Sequence, residues 1–119
     1  MKEIKKLSLE RIFKALVNLG LSESDARVYI FLALKGPKEE KILTNKLKIS
    51  RQQIILSLKN LQRKGIIFAD RDNQKIFSAL SFDRALKLLI KTEKEQTRIK
   101  EENLFADWKT MMEKNSSHS

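Results

Sequence analysis

The sequence predicts a mainly α fold with a small β-hairpin and a long C-terminal helix. Three observations carry that expectation. Gly20, Gly36, Gly65 and Pro37 are the only glycines and proline among 119 residues, and so few breakers favour helices. Apolar residues recur at helical spacing in each segment those breakers separate. Two short β-prone runs, 66–69 and 75–80, flank the polar turn 70–74, which reads as a hairpin.

The first helix starts at Lys2 or Ser8 and ends at Asn18, with Leu9, Ile12, Phe13, Leu16 and Val17 on one face and Gly20 as a left-handed cap. Ser22 and Asp25 form an N-cap pair that opens a second helix, which ends at Lys35. Its stretch 28–34 is apolar on every side, as in a helix buried at the centre of a small domain or covered by a partner chain. A short helix over 39–47 follows, with Leu43 and Leu47 one turn apart. Ser50 then caps a helix starting at Arg51, with Gln53 as the reciprocal capping-box residue and Ile49 and Ile54 as a hydrophobic staple. Ser81 caps a last helix over 81–114, about 50 Å long at helical rise, too long to pack along its whole length on so small a domain. Residues 115–119 read as a disordered tail. The expected organisation is therefore a domain over 1–80, a helix over 81–114 and a tail.

Helix, helix, short helix, capped helix and hairpin, in that order, make a winged helix-turn-helix, and the turn 48–50 has the length that motif needs. On the capped helix 51–64, Ile54, Leu58 and Leu61 share a face that points to the core. About half a turn of the wheel away, Gln52, Leu56, Lys59, Asn60 and Arg63 line up outward. Amide side chains pair with adenine N6/N7, and Arg and Lys reach guanine O6/N7 or phosphate, so this face suits base reading in a major groove. Ser50 and Gln53 sit at the helix N-terminus, where backbone amides favour a phosphate. Between Lys41 and Ala69 the charges are Lys41, Lys46, Lys48, Arg51, Lys59, Arg63 and Lys64, with no Asp or Glu. Such a one-signed stretch releases counterions from DNA. Arg71 and Lys75 place cations near the tip of the wing 66–80, within reach of backbone or minor groove.

Composition narrows the alternatives. Lys plus Arg is 25 against 15 for Asp plus Glu, a formal charge of +10, which suits a polyanion binder. Without cysteine there is no disulfide framework, zinc finger or thiol nucleophile, and the chain fits a reducing cytoplasm. The one histidine, His118, stands in the polar tail, so neither a His-based triad nor a metal cluster is expected. Asp70 and Asp72 form the tightest acid pair near a turn and read as turn chemistry. No phosphate-binding loop, nucleophile elbow, secretory signal or membrane-length apolar run is found. An enzyme is not expected, and neither is a cofactor or metal.

The stretch LVNLGLSESDARVY at 16–29 resembles the opening signature of the TrmB-like winged-helix transcriptional regulators, a mostly archaeal family. LTNKLKISR at 43–51 and LKNLQRKGII at 58–67 continue the resemblance through the recognition helix into the wing, and ALKLL at 85–89 resembles the start of the family's linker helix. It spans about residues 12–90; the later blocks are shared with MarR-like regulators. Three departures stand out. Lys48 occupies a turn position where relatives often carry Gly, the hairpin turn is short and lacks a Pro, and only a helix and tail follow where larger relatives carry a sugar-sensing domain. A small-molecule effector site is therefore not carried over.

In the last helix, Phe82, Leu86, Leu89 and Ile90 can pack on the domain. Beyond the polar stretch 91–98, Leu104, Phe105, Trp108, Met111 and Met112 form a second apolar cluster, expected to be the dimerisation surface of a two-fold homodimer. The function these features imply is a sequence-specific double-stranded DNA-binding transcriptional regulator. A non-specific architectural DNA-binding protein and a protein-interaction winged-helix module are the alternatives.

Overall fold

The computed structural model describes residues 2–117. In chain order the elements are α1 (Lys2–Asn18), α2 (Glu23–Lys35), β1 (Lys38–Glu39), α3 (Glu40–Leu47), α4 (Arg51–Arg63), β2 (Ile67–Ala69), β3 (Ile76–Ala79) and α5 (Phe82–Ser117). One compact unit ends at Leu89 and a second begins at Ile90, so the first unit includes the opening turns of α5. The last helix continues to Ser117, through the first residues of the expected tail. His118 and Ser119 lie outside the described residues.

Local chemistry explains where the helices start and stop. At α2, the Ser22 hydroxyl accepts from the Asp25 amide at 3.0 Å and the Asp25 carboxylate accepts from the Ser22 amide at 3.3 Å, a complete capping box. At α4, the Ser50 hydroxyl accepts from the Gln53 amide at 3.2 Å. The reciprocal bond expected of Gln53 is not formed among the described residues, so only the forward half of that box exists. Gly65, at φ 77°, ends α4 in a conformation closed to most side chains. At the start of α5, the Ser81 hydroxyl holds the Asp83 carboxyl below the usual carboxylate range.

The sheet corrects the expectation of a bare hairpin. β1 adds a third strand in the order β1-β3-β2, pairing antiparallel with β3 through Lys38↔Phe77 and Glu39↔Ile76. Glu39, expected inside the short helix, is extended and serves as the N-cap residue of α3. Two residues are too few to show strand alternation, and only pairing with β3 defines them. β2 and β3 form the wing in register Ile67↔Ala79, Phe68↔Ser78 and Ala69↔Phe77.

The core is built around α2 and α4. Val28, Tyr29 and Leu32 of α2 meet Ile54, Leu58 and Leu61 of α4, with Leu16, Leu43, Ile66, Phe77, Ala85 and Leu89 closing the cluster. Burial of α2 is one-sided at its end. Leu34 is exposed, and Ile30 and Phe31 only half-buried, lining an apolar groove with Leu9 and Phe13 of α1.

Polar side chains of α2 fasten the elements around it. Arg27 Nη2 donates to the Leu47 carbonyl at 2.8 Å, at the C-terminal end of α3. Tyr29 Oη donates to the Leu80 carbonyl at 2.7 Å, just past β3. Asn60 Nδ2 of α4 donates to Asp25 Oδ2. The signature at 16–29 therefore contributes three side chains that fix α3, α4 and the base of the wing on one helix.

Lys48 caps α3 at φ 55°, ψ 40°, the one left-handed residue other than glycine among those described. A Cβ in that region meets the following carbonyl. We expect Lys48→Gly to raise stability by about 0.5–1 kcal/mol, the relieved strain exceeding the extra unfolded-state freedom of glycine. Urea denaturation checks this: a midpoint at or below that of the parent chain would contradict it.

Candidate nucleic-acid interface

One face of α4 is fixed inward by Ile54, Ser57, Leu58 and Leu61, all buried. Helical periodicity then turns Gln52, Leu56, Lys59 and Arg63 outward, and all four are exposed. Leu56 is 60% exposed in the middle of this polar row. A lone leucine between Gln and Arg suits contact with a thymine methyl. The row thus combines amide, cationic and apolar groups, the types that distinguish base pairs in a major groove.

The flanks of α4 differ from the sequence expectation. Asn60 is half-buried and its amide nitrogen is engaged with Asp25, so it leaves the outward row and becomes a fastening residue. The wheel places Asn60 at the edge of the row, and a buried carboxylate on α2 lies within its reach. Gln53 is half-buried on the same edge. Arg51 is exposed on the opposite flank, and its Nε donates to Glu40 Oε1 at 3.2 Å. Sequence reasoning missed Glu40, which precedes the acid-free stretch and meets Arg51 only through the turn between α3 and α4.

The remaining candidates surround α4. Lys46 and Lys48 are exposed at the end of α3 and in the turn, beside exposed Ser50. Arg71 and Lys75 are exposed in the loop between β2 and β3, where the Lys75 amide donates to Asn73 Oδ1 at 3.1 Å. A groove of about 460 Å³ separates this loop from the starts of α3 and α4, and Glu39, Glu40, Lys41, Arg51 and Lys75 are among its lining. Phe68, outward on β2, is 46% exposed and was not among the sequence candidates. Strand alternation could have marked it, because Ile67 is buried. Among the described residues, no cluster of acidic, Cys or His side chains could hold a metal ion. No helix there is long and apolar enough to cross a membrane.

Three helices with a wing paired behind the second helix of a helix-turn-helix define a winged-helix protein. The family model described as sugar-specific transcriptional regulator TrmB matches residues 16–83, more than half of the chain. The chain belongs to this family, whose members are DNA-binding regulators of transcription and not enzymes. Among solved structures, the YusO protein from Bacillus subtilis is similar at TM-score 0.51 and 13% identity, over 91% of this chain and 85% of that one. The transcriptional regulator BldR from Sulfolobus solfataricus superposes at TM-score 0.49 with 18% identity, over 89% of this chain and 77% of that one. No curated protein matches the sequence significantly.

Proposed function

We propose that the protein is a sequence-specific double-stranded DNA-binding regulator that acts as a homodimer. The observation that carries this reading is the outward row Gln52, Leu56, Lys59 and Arg63 on a helix whose opposite face is buried. The row enters the major groove with Arg51 at its edge, Lys46, Lys48 and Ser50 lie near the backbone, and Arg71 and Lys75 of the wing reach adjacent phosphates or the minor groove. Dimerisation is supported by α5, where Leu104 is 68%, Phe105 64%, Trp108 60%, Met111 58% and Met112 51% exposed on neighbouring turns. An apolar stripe of that size calls for a cover, and a second copy of the helix supplies one with two-fold symmetry. Two recognition helices would then meet successive major grooves roughly 34 Å apart on a pseudo-palindromic site.

Selection of bound duplexes from a random pool at near-physiological salt tests binding, specificity and half-site symmetry together. A pool with no enriched sequence would favour the second reading, an architectural DNA coater, which the acid-free basic stretch also suits. Arg63→Ala is expected to cost about 1–3 kcal/mol of discrimination at one base position. Lys46→Ala should weaken all sequences alike and flatten the salt dependence. Unaltered base preference in Arg63→Ala would remove that side chain from the groove. Sedimentation equilibrium addresses the dimer: a monomer at tens of micromolar would exclude it.

A further inference from the structure

Arg51 is the first residue of α4, beside rather than within the outward row, and Glu40 is the first residue of α3. Their contact is the one ion pair among the described side chains from Lys6 to Leu89. The Arg51 side chain is 79% exposed and that of Glu40 only 31%, so the carboxylate is the more buried member and the guanidinium the presented one. Only Nε is engaged; the two terminal nitrogens make no hydrogen bond among the described residues. A guanidinium held this way keeps its terminal fork for one planar acceptor pair met end-on, and its side-on mode through Nε is closed.

An acid here needs explanation. It directly precedes the acid-free stretch 41–69 and, with Glu39, lines a groove that also holds Lys41, Arg51 and Lys75, where it repels phosphates. An exposed pair adds little to folding stability. Its larger effect is on charge and direction: the pair is neutral as a unit, so Arg51 adds little to counterion release while its fork is held in one orientation.

We infer that Glu40 is a positioning residue for DNA recognition, aiming the terminal nitrogens of Arg51 end-on at a guanine O6/N7 edge while cancelling its non-specific attraction. This rests on the DNA-binding reading above. Glu39 provides an internal control, because it is exposed, lines the same groove and has no ion pair among the described residues.

The experiment uses the full chain, with the duplex recovered by selection and a scrambled duplex of the same composition, each titrated over a salt series. Glu40→Ala should bind the scrambled duplex more tightly and steepen the salt slope by about one counterion. It should also lower the ratio of selected to scrambled affinity by about five-fold or more. Glu39→Ala removes an equal charge and should tighten both duplexes alike, leaving the ratio unchanged. Glu40→Gln keeps an acceptor for Nε without the charge, so it should steepen the slope yet retain most of the ratio. In an Arg51→Gln background, Glu40→Ala should lower the ratio no further. Thermal melts of the variants should coincide, which separates the effect from folding. Equal behaviour of the Glu39 and Glu40 variants, or an unchanged ratio in Glu40→Ala, overturns the positioning role and leaves DNA binding intact. If the unaltered chain binds neither duplex at low salt, the DNA-binding reading fails, and this role with it.

Discussion

Asn60→Ala is expected to cost about 1.5–3 kcal/mol of folding stability while leaving the preference for one duplex over another unchanged. The partner of Asn60 is the Asp25 carboxylate, 4% exposed and shared with the Ser22 amide at 3.3 Å. Without Asn60 the nearly buried carboxylate keeps only that long bond to the protein. A buried charge that loses a donor carries its desolvation penalty uncompensated, which exceeds the modest gain the bond gave when made. Substituting Gln62, exposed on the same helix, should shift stability by no more than ~0.5 kcal/mol. Urea denaturation with a fall in midpoint and an unchanged slope would place the loss in the native state. The opposite pattern, an unmoved midpoint with altered base preference, would return Asn60 to the groove-facing row.

The contrast between Asn60 and its neighbours shows what a sequence carries. Ser22 with Asp25, and Ser50 with the amide of Gln53, interact across one turn of chain, so spacing alone announces them. The ridge of Ile54, Leu58 and Leu61 is legible for the same reason, because helical periodicity fixes which side chains share a face. Arg27 reaches the Leu47 carbonyl 20 residues away, Asn60 reaches Asp25 35 residues away, and Tyr29 reaches Leu80 51 residues away. None of these has a local signature, since each depends on how the helices cross. In the sequence, Arg27 and Tyr29 stand out only as part of a family resemblance, and Asp25 only there and as the capping partner of Ser22. In the fold they join α2 to α4, to the end of α3 and to the end of the wing. The same limit hid Glu40, 11 residues from Arg51 across a turn. Outward residues were readable from periodicity, but whether each is available depended on partners that only the packed structure supplies.

Tyr29 makes the stability of this arrangement dependent on alkaline pH. It is fully buried, and burial first, then the negative charge of Asp83, pushes its phenol up from 10.0 to about 12. As pH rises past 10.0 the unfolded chain loses the phenolic proton while the native chain keeps it. The unfolded state then binds fewer protons, so unfolding stability falls with pH until the native phenol also ionises. The contribution is complete below pH 10 and should shrink by roughly 2–3 kcal/mol as pH approaches 12. Tyr29→Phe separates this effect from the titration of the many lysines. It should lose roughly 1 kcal/mol at neutral pH, where the Leu80 carbonyl is left without its donor, yet decline less steeply in alkali. Because the chain has a single tyrosine, phenolate absorbance reports this residue alone and should appear together with unfolding. Parallel pH–stability curves for the two chains would mean that Tyr29 is not the titrating group. Phenolate absorbance rising near pH 10 while the fold persists would mean that its hydroxyl is open to water rather than closed against the base of the wing.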